Sequence, residues 1–299
     1  MASPQTGIFA LGTASHSYLE FDLVSTTDGG SAVARVAGLR EPRTTIGGVN
    51  LVVGFRPELW SAVAPDAAPP GSTGFNEPLI SPTGYVLPAT QHDIVTWLTG
   101  AAYDVVFDLS RGIVAALAGH AVLAHEMVGW PYHRDLDLTG FMDGTENPTL
   151  IEATTVAVVP AGSPGEGGSI LLLQQWEHDA VAWEGLPVSA QEAVIGRRKT
   201  DSAELDPSPP SSHVARTDQE QFGKILRRNI AYGSVAQHGT IFVGFSSDQR
   251  ILTAMLESMI GGADGPPDML TSFARALTGA YYVIPSADRM EALAGVDHA

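Results

Sequence analysis

A chain of 299 residues with 44% apolar and 16% charged residues can bury a sizeable core, which excludes global disorder. Acidic residues outnumber basic ones 33 to 16, and the formal charge of −17 disfavours a nucleic-acid binder, which needs a basic face against phosphate. There is no cysteine, so disulfides, iron–sulfur clusters, thiolate-bound metals and cysteine nucleophiles are ruled out.

The N-terminus has no basic region, long apolar run or twin arginine, and a cytoplasmic location is the expectation. No apolar stretch approaches membrane-spanning length. Tyr18–Leu23 alternates apolar and polar residues, which predicts a strand with one buried face. After the turn residues 27–30, the run 31–39 reads as a short helix, and Leu51–Phe55 as a buried strand. Residues 64–84, rich in Pro, Gly and Ser, read as a long surface loop. A strand at Ile94–Leu98 leads to a helix over 102–117 with Val106, Leu109, Ile113 and Leu117 on one face, then to a strand near 121–129. In the second half, 155–159 and 169–174 are apolar runs separated by a Gly/Ser/Pro loop, and 187–194 reads as a helix. Thr240–Phe245 reads as a strand, Ser246-Ser-Asp-Gln249 as a capping box, and the following helix buries Leu252, Met255, Leu256 and Met259. Strand-then-helix at 94–117 and again at 240–260 hints at an internal duplication, two βαββαβ halves of α+β class.

The most informative segment is Asp137-Leu-Thr-Gly-Phe-Met-Asp143-Gly-Thr-Glu-Asn-Pro148. Gly140 and Gly144 bracket Asp143 and let the backbone turn sharply, and Asn147-Pro148 closes the segment. A carboxylate in a tight loop between apolar neighbours suits proton transfer. An Asp-Gly turn between two strands is the plainer alternative. The whole string resembles the GxxDG region of the dye-decolourising peroxidases, haem enzymes of the chlorite-dismutase superfamily.

That resemblance implies two ferredoxin-like βαββαβ domains with antiparallel sheets, over 1–136 and 137–299, with one haem b bound in the C-terminal half. It implies a catalytic role for Asp143 and contacts to the cofactor from Gly144, Thr145 and Glu146. Of nine histidines, His16, His92, His120, His125, His133, His178, His238 and His298 carry no companion motif and read as surface or ordinary core residues. His213, in Ser-His213-Val-Ala-Arg, resembles the family's proximal haem ligand. Asp268, in Pro-Pro-Asp268-Met-Leu-Thr-Ser-Phe273, resembles the segment whose carboxylate makes that histidine electron-rich. An N-cap for a helix over Met269–Leu277 is the equal and compatible alternative for Asp268. Lys224-Ile-Leu-Arg227-Arg228-Asn229 resembles the distal Arg-x-Asn arrangement, which points to Arg227 and Asn229, with Arg228 competing one residue along. In Ile195-Gly-Arg197-Arg198-Lys199, Arg197 and its neighbours either pair with haem propionates or lie on the surface.

The function implied is a haem peroxidase that reduces hydrogen peroxide and oxidises dyes and phenols through a ferryl intermediate. Trp60, Trp97, Trp130, Trp176, Trp183 and Tyr232 are candidate electron relays by chemistry alone. The implied partners are peroxide, organic reductants and further copies of the chain, with no nucleic acid or membrane. The tail, residues 290–299, lacks an encapsulin-type anchor. The competing readings are a haem carrier or store on the same fold, chlorite dismutation or haem modification, and a haem-free hydrolase using Asp143 with Glu146.

Overall fold

The structure is a computed structural model that describes residues 2–39, 48–262 and 265–294. His298 and the tail beyond residue 294 lie outside the described residues. Eight strands carry the fold: β1 (Ser15–Leu23), β2 (Asn50–Phe55), β3 (Ile94–Gly100), β4 (Ala121–Trp130), β5 (Ser169–His178), β6 (Ile230–Gly233), β7 (His238–Ser246) and β8 (Ala280–Ile284). The helices that matter here are α1 (Gly29–Ala37), α2 (Tyr103–Leu117), α3 (Leu150–Ala157), α4 (Val188–Ile195), α5 (His213–Arg216) and α6 (Gln249–Met259).

The first four strands lie side by side as β2-β3-β1-β4 and the last four as β8-β5-β7-β6, all antiparallel. Each half places its first and third strands in the centre and follows each central strand with helix, which is the ferredoxin-like arrangement. The two sheets then join edge to edge. β4 pairs with β6 at Gly129↔Tyr232 and Trp130↔Ala231, and β8 pairs with β2 at Val283↔Phe55. The ring closes, and few strand edges are left open.

Closure covers both faces of most strands, β4 with its exposed Val122 and Leu123 being the exception. Tyr18, Val52, Trp97, Leu171, Leu173, Ile241, Val243, Phe245 and Tyr282 pack together inside the ring. Leu19, Phe21, Phe55, Leu98, Ile170 and Leu172 face outward and meet Val33 and Val36 of α1, Val106 and Ile113 of α2, and Leu252, Met255 and Leu256 of α6. The reading of β1 as a strand with one buried face is therefore corrected: Tyr18, Leu19, Glu20 and Phe21 are all at most 2% exposed. Alternation survives only as a division between barrel interior and helical layer. At Gly239 the neighbouring strand comes so close that a Cβ would lie 1.8 Å from the Trp176 carbonyl oxygen, so only glycine fits.

Three local expectations change. The run 155–159 lies at the end of helix α3, because Thr149 caps that helix in a reciprocal capping box with Glu152. The box expected at 246–249 does not form; Asp248 caps α6 by accepting from Arg250 N. Residues 269–277 are a single 3-10 turn, Met269–Ser272, followed by a short strand, Ala274–Ala276, on the edge of β5. There the free backbone groups of β5 hold the chain extended and outcompete continuation of the turn.

Candidate active site

The outer faces of β5 and β7, the loop after β4, and helices α5 and α6 enclose a cleft of about 1250 Å³ including its mouth. Side chains on a strand alternate, so Leu172, Gln174, Trp176 and His178 of β5 and Thr240 and Phe242 of β7 face the cleft. Leu252, Met255, Leu256 and Met259 of α6 add apolar walls. The lining is mostly apolar with a few convergent polar groups, as a site for a large flat ligand requires.

His213 opens α5 directly after Ser212, whose hydroxyl caps the helix by accepting from Ala215 N at 3.3 Å. Its Nδ1 lies 2.7 Å from Asp268 Oδ2. The second Asp268 oxygen accepts from Leu270 N at 2.8 Å, so this carboxylate caps the 3-10 turn and orients the imidazole at once. Asp268 is 1% exposed, and Met269 N donates to Ser211 O at 2.8 Å, tying the two loops together. Burial alone pulls the His213 imidazole down, but the charge and hydrogen bond of Asp268 outweigh it and hold the ring above its ordinary value. With Nδ1 engaged, Nε2 has no hydrogen-bond partner among the described residues.

Across the cleft, residues 135–143 form a tight hairpin, with Asp143 N on Asp135 O and Asp137 N on Phe141 O. Gly140 and Gly144 both take positive φ, 80° and 72°. Asp143 Oδ1 accepts from Gly144 N at 2.7 Å and from Asn229 Nδ2 at 3.3 Å. Asn229 Oδ1 in turn accepts from Val243 N at 3.2 Å. Asn147 clamps Arg227 through both backbone groups, accepting from its N–H at 2.8 Å and donating to its carbonyl at 2.9 Å.

Arg227 lines the cleft, and its Nε is buried with no hydrogen-bond partner among the described residues. Arg228 donates to Ile8 O at 2.9 Å and lies over the Trp97 ring at 5.6 Å. The geometry thus separates the two arginines: Arg227 faces the cleft and Arg228 turns toward the barrel core.

Gly144, Thr145, Glu146 and Arg197 all line the cleft. Arg197 is bound by two carboxylates, Glu146 and Glu204, each at 2.6 Å. Its neighbours turn away: Arg198 pairs with Asp201, and Lys199 donates to Gln191 and lies over Phe141. Among the candidate relays, only Trp176 contributes to the cleft wall; Trp60 and Trp97 are fully buried elsewhere.

Four residues of the site carry no functional mark in the order of residues. Asn147, which closes the loop 137–148, also fixes the backbone of Arg227. Burial lowers His178 to about 4, and it shares a 3.2 Å hydrogen bond with Thr240. Gln174 is 1% exposed, and its Nε2 has no hydrogen-bond partner among the described residues. Asp137 accepts from the backbone N–H and hydroxyl of Thr139; burial first, then the charge of Asp143, pushes it up to about 6. The period-2 register of β5 was the available signal for Gln174 and His178.

Known proteins resemble this chain over most of its length. The family model described as Dyp-type peroxidase, C-terminal, matches residues 134–289. A dye-decolorizing peroxidase from Brevibacterium linens is 32% identical over 273 residues, covering 87% of this chain and 72% of the relative. The crystal structure of a dye-decolorizing peroxidase from Bacteroides thetaiotaomicron superposes with a TM-score of 0.89 at 27% identity, covering 98% of this chain and 99% of that one. A DypB variant from Rhodococcus jostii RHA1, solved in complex with heme, gives 0.83 at 32% identity, covering 93% and 95%. This chain belongs to the dye-decolourising peroxidase family.

Proposed function

We propose that the chain is a haem-dependent peroxidase that reduces hydrogen peroxide while oxidising organic donors such as dyes and phenols, with one haem b held in its C-terminal half, residues 137–299. The observation that carries this reading is the opposition of two sets across one apolar cleft. On one side stands His213, oriented by a buried Asp268 and free at Nε2. On the other stand Asp143 with Asn229, and Arg227 with a buried, unpartnered Nε. His213 would hold haem iron through Nε2, and the apolar walls suit a macrocycle. Gly144, Thr145 and Glu146 would border the cofactor, and Arg197 would meet a propionate by exchanging one of its present carboxylate partners.

Bound haem supplies the two-electron reduction of peroxide and the return of electrons from the organic donor. The chain supplies the rest. Asp268 keeps His213 in the tautomer that presents Nε2 to the cleft. Asn229 and Gly144 N hold Asp143 by Oδ1, leaving Oδ2 to take the proton from the inner peroxide oxygen and deliver it to the outer one. Arg227, charged at any working pH, stabilises the negative charge that develops on the departing oxygen. Asn147 sets its position through the backbone.

The test is an absorption spectrum with and without peroxide, followed by steady-state dye oxidation. We expect a Soret band, a peroxide-dependent shift, and loss of haem in His213→Ala. Full haem occupancy in that variant refutes the ligand assignment. Wild-type peroxide reactivity in both Asp143→Ala and Arg227→Ala refutes the distal one.

A further inference from the structure

The barrel interior contains a hydrogen-bonded chain that the cleft chemistry does not use. Tyr282 of β8 is 0% exposed, and its hydroxyl donates to Glu20 Oε1 of β1 at 2.6 Å. Glu20 Oε2 lies 2.9 Å from His125 Nδ1 of β4. The Glu20 side chain is 2% exposed and that of His125 29%, so the chain runs from the barrel core to the surface. Burying a carboxyl among apolar side chains is costly, and an apolar residue would fill this position more cheaply.

One-electron oxidation turns a phenol into a strong acid, so a tyrosine gives up an electron readily only beside a proton acceptor. That criterion separates the buried tyrosines. Among the described residues the Tyr232 hydroxyl makes no hydrogen bond to a carboxylate. Tyr281 shares its hydrogen with Thr253, a neutral hydroxyl, at 3.0 Å. Tyr18 stands 3.4 Å from His16 Nδ1, a much longer contact than the 2.6 Å of Tyr282 to Glu20. Tyr282 alone among these donates to a carboxylate. It is also close to the cleft: it pairs with Leu171, and the side chain of the next residue, Leu172, lines the cleft. Tyr282 and the cleft thus lie on opposite faces of one and the same sheet.

We propose that Tyr282 is an internal one-electron donor of the peroxidase reaction, with Glu20 as its proton acceptor and His125 as the link to solvent. This rests on the peroxidase reading of the cleft, which supplies the oxidant. The Tyr282 O–H bond breaks; the electron passes to the oxidising equivalent that peroxide leaves in the cleft, the proton crosses to Glu20, and a neutral phenoxyl remains. An organic donor later returns the electron and Glu20 returns the proton. An oxidising equivalent is thereby held at one defined residue when donor is scarce.

The experiment is rapid-freeze electron paramagnetic resonance on the haem-loaded protein after one equivalent of peroxide, without organic donor. Wild type should give a tyrosyl signal that changes when ring-deuterated tyrosine is incorporated, and Tyr282→Phe should lose it while retaining the haem band. Glu20→Gln keeps an acceptor for the Tyr282 hydroxyl but cannot take its proton, and should also lose the signal. In the haem-free protein, the 2.6 Å contact should give a downfield hydroxyl proton resonance that is missing from Tyr282→Phe. An undiminished tyrosyl signal in Tyr282→Phe or in Glu20→Gln overturns the proposal, and the second variant decides the matter should the first fail to load haem. A wild type that loads haem and reacts with peroxide without any tyrosyl signal refutes the relay alone. A wild type with no haem band refutes the reading of the cleft and the relay with it.

Discussion

Replacing Asp137 by asparagine isolates the cost of ionising a carboxyl that the fold places beside both the cleft and Asp143. Asparagine keeps the shape and can still accept from the N–H and hydroxyl of Thr139. Burial, reinforced by the charge of Asp143, raises the Asp137 carboxyl from 3.8 to about 6. A group raised on folding contributes full stability below its unfolded value and loses it as pH rises through the folded one. Two pH units at 1.36 kcal/mol each set a ceiling of roughly 3 kcal/mol against folding at neutral pH. Asp137 retains some solvent access, so about 2 kcal/mol is expected. The assay is urea unfolding of the haem-free protein from pH 3.5 to 8, where cofactor binding does not add to stability. Asp137→Asn should match wild type at the acid end, gain between pH 4 and 6, and hold a plateau above pH 7. A stability difference that stays flat across this range refutes the reasoning.

The distal pair is tested by separating adjacent arginines. Arg227→Leu should slow the reaction with peroxide by about 10²–10³-fold in stopped flow, while Arg228→Leu, which points at Ile8 and Trp97, should react close to wild type. Asp268→Asn preserves the cap on Leu270 N but removes the charge facing His213; haem affinity should fall about 10–100-fold, measured by haem transfer to apomyoglobin. Gly144→Ala places a side chain at φ +72°, a cost of roughly 1–2 kcal/mol. Its Cβ would also lie 2.8 Å from Asn147 Nδ2, so the clamp on Arg227 loosens. Lower thermal stability together with a slower peroxide step is expected; unchanged peroxide kinetics would show that Asn147 does not position Arg227.

Much of the fold and the site was legible in the order of residues, because the information was local. The helix faces of α2 and α6 announce themselves by their spacing, and the loop 137–148 by two glycines around an acid and a closing Asn-Pro. The repeated strand–helix order hints at two βαββαβ halves, and the family resemblance implies that they are ferredoxin-like. What local pattern could not supply was anything that depended on which surfaces meet. Burial of both faces of β1 follows from closure of eight strands into a ring, and no alternation within one strand encodes its partner sheet. The competition between Arg227 and Arg228 was undecided in one dimension, since neighbours on an extended chain point to opposite sides and only the sheet says which side is the cleft. The contact of Tyr282 with Glu20 spans 262 positions, and His213 meets Asp268 across 55. Residue order settles the local elements, the motif and the family; which side chains converge emerges only in the folded chain, because strand register and sheet closure join segments that carry no mark of one another.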